Sequence, residues 1–140
     1  MTKSTKPKFA FTGYIIEKAD INIKNSKVGK KINFAFNPSG VLNKNNNTFE
    51  LLLKVNITES SNTLEINLTA RAFFVFESKT DDPSLHNYII YNAPALLFPY
   101  IRAYISTLSS LSGVTTIILP TLNMTHLAPI LINNLNIIKE

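Results

Sequence analysis

The chain has 140 residues, 45% of them hydrophobic, and its 14 Lys+Arg against 9 Asp+Glu leave a formal net charge of +5. That is one domain's length with apolar content for one core, and the absence of cysteine excludes disulfides, thiolate zinc sites and thiol nucleophiles and suits a reducing compartment. A basic balance permits contact with nucleic acid or anionic lipid, but the lysines (Lys3, Lys6, Lys8, Lys24, Lys27, Lys30, Lys31) are scattered, Arg71 and Arg102 are the only arginines, and no helix carries a basic stripe. Lysine-protected edge strands account for this charge, and a nucleic-acid-binding module is the lesser reading.

In chain order, the N-terminal apolar run is broken by Thr12, Gly13 and Glu17 with no small-residue cleavage site after it, unlike a signal peptide. Phe9 and Phe11, then Ile21 and Ile23, alternate with polar residues, the period of a strand with one wet face. Ile32, Phe34 and Phe36 repeat it, and Asn37-Pro38-Ser39-Gly40 predicts a turn. Phe49, Leu51, Leu53, Val55 and Ile57 form the cleanest strand. After a turn at Glu59-Ser60-Ser61-Asn62, Leu64, Ile66, Leu68, Ala70 and Ala72 line one face of a fourth strand ending near Phe76. Short connections predict an antiparallel meander from the second strand to the fourth.

Glu77 to Asn87 reads as a polar loop. The period then turns helical: Leu97, Ile101, Tyr104, Ile105, Leu108 and Leu111 recur at three and four, Pro99 suits a first turn, and Gly113 suits a left-handed stop. This predicts a long helix over about 96–112. Asn123 is a natural cap for a second helix over about 124–138 with Leu127, Leu131, Leu135 and Ile138 on one side, kinked or started by Pro129. The expected fold is α+β: a four-stranded antiparallel sheet over about 9–76, a long helix and a C-terminal helix, in one domain over 1–140. Pro120, Asn123, His126 and Pro129 interrupt the C-terminal apolar run, which falls short of the ~20 residues that span a bilayer. A soluble cytoplasmic protein without membrane insertion is expected.

Catalytic chemistry is nearly absent. His86 and His126 lack the companions of a metal site. Asp81, Asp82, Ser84 and His86 crowd one short segment, which is not triad geometry. Gly29-Lys30-Lys31 lacks the upstream glycine of a phosphate loop, and the glycines are too scattered for a dinucleotide fingerprint. No enzyme, metal or cofactor is expected. Apolar residues are in surplus instead: Phe73 to Phe76 and Tyr88 to Tyr91 put large side chains on two faces of an extended chain, enough for a subunit interface or an open groove.

Leu97-Phe98-Pro99-Tyr100 with Arg102, and Leu119-Pro120 with Asn123, resemble two motifs of the bacterial export chaperone family SecB, LFPYxR at the start of the long helix and LxPxN after its closing glycine. Lys18 to Ile23 is similar to that family's first strand. The resemblance implies an ATP-independent holdase that binds unfolded polypeptides in apolar surface grooves for preprotein export, or, as the alternative, a dedicated chaperone of an antitoxin in a toxin–antitoxin–chaperone system. It implies client-binding positions at Ile32, Phe34, Phe36, Phe73, Met124, Leu127 and Leu131. It implies a homotetramer, a dimer of dimers, held by the long helix through Leu97, Ile101, Tyr104, Ile105 and Leu108. SecA is the partner expected on the face of Asp20, Lys24, Glu65 and Asn67. Lys24 and Asn67 stand where that face is acidic in the family, so steering of a basic tail is weak or reversed.

Overall fold

The structure is a computed structural model that describes residues 9–77 and 83–139. Four long strands come first: β1 (Phe9–Ile23), β2 (Ile32–Asn43), β3 (Thr48–Glu59) and β4 (Leu64–Phe76). Helix α1 (Pro83–Leu111) follows, then an extended segment, a 3-10 turn (Met124–Leu127), helix α2 (Ala128–Asn133) and strand β5 (Leu135–Ile138). The sheet order is β1-β4-β3-β2-β5, antiparallel except for the parallel β2–β5 pair. The α+β architecture thus matches expectation, with a fifth strand that makes the sheet mixed.

Along β1 the inward residues do not keep strict alternation, since Phe11 to Tyr14 and Ile16 to Ala19 are odd steps. Register shifts between Phe11 and Gly13 and between Ile16 and Lys18 absorb the two extra residues. Phe11, Tyr14, Ile16, Ala19 and Ile21 therefore stay opposite Phe74, Ala72, Ala70, Leu68 and Ile66. Without such bulges one slip would turn the rest of the strand inside out.

The turn predicted at Asn37 to Gly40 does not form, because β2 runs through it to Asn43. The Gly40 N–H donates to Asn134 O, toward β5. Pro38 has the same parity, so its missing donor faces that side too, and the β3 ladder loses nothing. Gly40 is needed for space: a Cβ there would meet the Phe49 ring at 2.8 Å. The chain reverses instead at Asn43 to Asn47, where Asn43 Oδ1 accepts from the Asn45 and Asn46 amides and Asn47 takes a positive φ of 55°.

The polar loop expected up to Asn87 is also corrected, since α1 already begins at Pro83. Leu85, Ile89, Ala93, Leu97, Ile101 and Ile105 form one unbroken buried stripe at four-residue spacing, with Tyr88 and Tyr91 outside. Pro94 and Pro99 lie inside the helix. Each removes one ladder hydrogen bond at about 3 kcal/mol, a cost offset by burying Leu97 and Phe98 on the sheet. Phe98 meets the Phe36 ring edge-on at 6.0 Å, while Tyr100 stacks on Tyr14 at 4.6 Å. Gly113 ends this region at φ 85°, the left-handed stop expected there.

The C-terminal helix is shorter than expected. Pro129 occupies its first turn, where a missing amide is harmless. At Asn134 it stops: the Asn134 amide closes the helix, its carbonyl accepts from Gly40 N, and its side-chain amide donates to Pro38 O. Leu135 to Ile138 then pairs in parallel with Gly40 to Asn43 rather than continuing as helix.

Candidate functional site: an apolar groove beside the sheet

Helix α1, the segment after it and the C-terminal elements cover one sheet face. The polar side of α1, with Arg102, Ser106 and Ser109, holds the segment after Gly113 in place. Arg102 Nε donates to Leu119 O at 2.7 Å, and Ser106 Oγ donates to Ile117 O at 3.1 Å. Buried Ser109 donates to Ile105 O and accepts from the Ile117 amide, both at 2.8 Å. Residues 102, 106 and 109 are successive turns of one helical stripe, so the extended chain is laced along it. Strand-like backbone with no strand neighbour is satisfied in this way. The arginine of the first motif and the leucine of the second are therefore joined by a hydrogen bond.

Ile117 and Leu119 point inward, while Ile118 is 65% exposed. Beside it lies an open depression of about 500 Å³ whose walls are Val28 to Lys30 from the β1–β2 connection, Ile32 and Phe34 from β2, and Thr115 to Pro120. A second, of about 350 Å³, lies against Pro99, Arg102, Ala103 and Ser106. Thr116 and Ile118 border both, so the laced segment is a ridge in a two-part apolar groove.

The sequence-derived client positions divide. Ile32 and Phe34 line the groove; Phe36 lies next to them, against Phe98. Met124, Leu127 and Leu131 are at most 2% exposed and belong to the core under the groove. Phe73 points to the opposite sheet face, across from Glu50 and Gly13. The structure therefore does not bring Phe73 to Phe34. Sequence reasoning missed Val28, Thr116, Ile117 and Ile118 as wall residues, although Ile117-Ile118 next to the second motif was an available signal.

The helix positions divide as well. Leu97, Ile101 and Ile105 are fully buried in their own subunit's core, which corrects their expected place at an interface. Tyr104 and Leu108 are half-buried. The outer face of α1 instead exposes Tyr88, Tyr91, Leu96 and Tyr100.

Asp20, Lys24, Glu65 and Asn67 do gather at one end of the outer sheet face. Asp20 pairs across from Asn67, and Asn56 Nδ2 donates to Asn67 Oδ1 at 2.8 Å and to Glu65 Oε2 at 3.2 Å. Lys24 and Glu65 line one small polar depression. This face carries both signs, with Lys18, Lys54 and Arg71 against Glu17, Asp20, Glu50 and Glu65. At its other end Arg71 bridges Glu17 and Glu50. The Arg71 hydrogen bond holds the Glu17 carboxyl below the usual range, and the two carboxylates raise the arginine in turn.

Glu59 is a core-facing carboxylate that sequence reasoning placed in a turn. It is 2% exposed, accepts from the Thr63 hydroxyl at 2.5 Å, and lies so close under Gly29 that a Cβ there would meet its Oε1 at 2.5 Å. The Thr63 hydroxyl, then the Ser61 amide, lower its pKa. Glu59 thus braces the β3–β4 turn and packs directly beneath the connection that forms one groove wall. Asp81 and Asp82 lie outside the described residues, and among those described no three His, Cys, Asp or Glu side chains could hold a metal ion. No described helix is long and apolar enough to cross a membrane.

The profile of the SecB family, described as preprotein translocase subunit SecB, matches residues 19–128. The chain belongs to the SecB family. Among solved structures, this SecB-family chain is similar to the SecB-like chaperone Rv1957 of Mycobacterium tuberculosis, in complex with a ChAD peptide from the Rv1956 HigA1 antitoxin. The TM-score is 0.69 at 17% identity, over 82% of this chain and 91% of that one. No curated protein matches by sequence.

Proposed function

We propose that this SecB-family chain is an ATP-independent holdase that captures extended apolar segments of unfolded polypeptides along the groove of Ile32, Phe34 and Ile118. The observation that carries this reading is that groove, open, apolar and walled by backbone held in a fixed extended shape. Many weak apolar contacts over a long surface bind non-native chains without reading a sequence, and folded proteins do not offer the segments required. Met124, Leu127 and Leu131 act as the floor that holds the walls apart.

Two client classes fit. Secreted precursors handed to SecA are the first; a single antitoxin is the second. Both signs of charge on the Asp20 and Glu65 face favour the second, since a basic tail finds no acidic field there, and the likeness to a chaperone solved with an antitoxin peptide supports it. Assembly as a dimer of dimers would use Tyr88, Tyr91, Leu96 and Tyr100 on the outer face of α1, and native mass spectrometry reads the subunit number directly. The deciding experiment is purification from the native host with identification of bound polypeptides. A range of signal-bearing precursors supports export, one stoichiometric small partner encoded alongside supports the antitoxin role, and recovery with no polypeptide, together with failure to suppress aggregation of a denatured client, rejects the holdase.

A further inference from the structure

The β1–β2 connection carries Lys24, Lys27, Lys30 and Lys31 and no acidic residue. All four lysines are exposed, and none has a carboxylate partner among the described residues. The connection is nevertheless held firmly. Lys24 N donates to Thr63 O at 2.8 Å, and the Ser60 amide donates to Lys31 O at 3.0 Å, with the Ser60 hydroxyl reinforcing it at 3.2 Å. The carboxylate beneath Gly29, Glu59, is turned inward and engaged by Thr63. Val28 and Lys30 reach the same depression as Ile32 and Phe34, and Lys27 and Lys31 flank them in the same connection, so an apolar floor meets a cationic rim. The second depression is bordered by Arg102.

A groove made only of apolar side chains would be indifferent to the charge of residues flanking a client's apolar core. This one is not neutral. An acidic residue next to the bound segment would meet unpaired ammonium groups, and a basic residue would meet repulsion. Resting on the holdase reading above, we propose that the groove selects apolar client segments flanked by Asp or Glu, with Lys27, Lys30 and Lys31 as the groups that read the flanking charge. The preference acts at the rim, over a Debye length of about 8 Å at physiological salt. It therefore sets encounter rate and choice of client more than the strength of apolar capture.

The test uses the full chain and three labelled peptides that share one Phe/Leu/Ile-rich centre, flanked by Ser, by Asp/Glu or by Lys, with binding read by fluorescence anisotropy. At low ionic strength the acidic-flanked peptide should bind about tenfold more tightly than the Lys-flanked one. The gap should close as salt rises to about 0.5 M. The triple substitution Lys27→Gln, Lys30→Gln, Lys31→Gln should abolish the gap, with the Ser-flanked affinity changing less than that of either charged peptide. Equal affinity for the two charged peptides in low salt, or a gap that survives the triple substitution, overturns this inference and leaves the holdase intact. Failure of all three peptides to bind overturns both. Tighter binding of a single-stranded oligonucleotide, lost in the same variant, would reassign the lysines to nucleic acid and overturn the proposal.

Discussion

The two faces of the sheet follow opposite rules. The inner face, from Phe49 to Ile57 on β3 and Leu64 to Phe76 on β4, is continuous core under α1 and the laced segment. The outer face is mostly asparagine, threonine and charge, with Ile15, Leu52, Phe73 and Val75 among its apolar members. One side is held by apolar burial and close packing, the other by solvation and hydrogen bonding, and the groove forms where the inner face runs out from under its cover. Substitutions should therefore differ in kind between the faces, not only in size.

The largest effect is expected for Leu131→Asp, which places a carboxylate at a fully buried position. Unpaired buried charge of this kind should unfold the protein or cost upward of about 4 kcal/mol, seen as loss of soluble product or of cooperative melting. Survival of a stable fold would mean that Leu131 is accessible after all. Next is Gly40→Ala, where the new Cβ meets the Phe49 ring; urea denaturation should show a loss of about 1–3 kcal/mol.

Ile118→Asp should separate function from fold. At a site so exposed, stability should change by no more than about 0.5 kcal/mol, while suppression of client aggregation should drop sharply. If holdase activity is untouched, the ridge is not where clients bind.

Glu59→Gln should lower the melting temperature at neutral pH. Because the folded-state pKa of Glu59 is depressed, the carboxylate's stabilising contribution is complete above the ordinary value of 4.5 and is lost as pH falls through the folded-state value. The difference between the two proteins should thus shrink on acidification, and a constant difference would place the effect in packing. The smallest effect belongs to the outer face: Arg71→Gln leaves Glu17 and Glu50 as neighbours without their shared cation. Here the loss should be modest and should diminish with added salt.

Much of this fold is legible in the sequence. Alternation in β3 and β4 gives their inner faces directly, and Gly113 marks the end of α1. The two motifs point to the family that residues 19–128 match. Two errors have a common origin. Asn37 to Gly40 has turn composition but sits in a strand, since composition does not reveal that the side of Pro38 lacking a donor faces away from β3. Glu77 to Asn87 has loop composition over part of its length, yet Leu85 and Ile89 extend the buried stripe of α1. Of the expected client positions, Ile32 and Phe34 line the groove, whereas Phe73 lies on the opposite sheet face and Leu127 is buried beneath the groove, a division that periodicity alone does not reveal.

By itself the sequence determined which residues alternate, which recur at helical spacing and where the backbone must turn left-handed, because those are local properties of a few neighbouring residues. Only the tertiary structure decided the rest. Leu135 to Ile138 carries no strong local preference and becomes a strand because β2 offers an unpaired edge at Gly40. Ser109 and Arg102 become structural clamps because an extended chain comes back alongside them. Phase along one element is set within that element, whereas depth, pairing partner and groove are set by what packs against it.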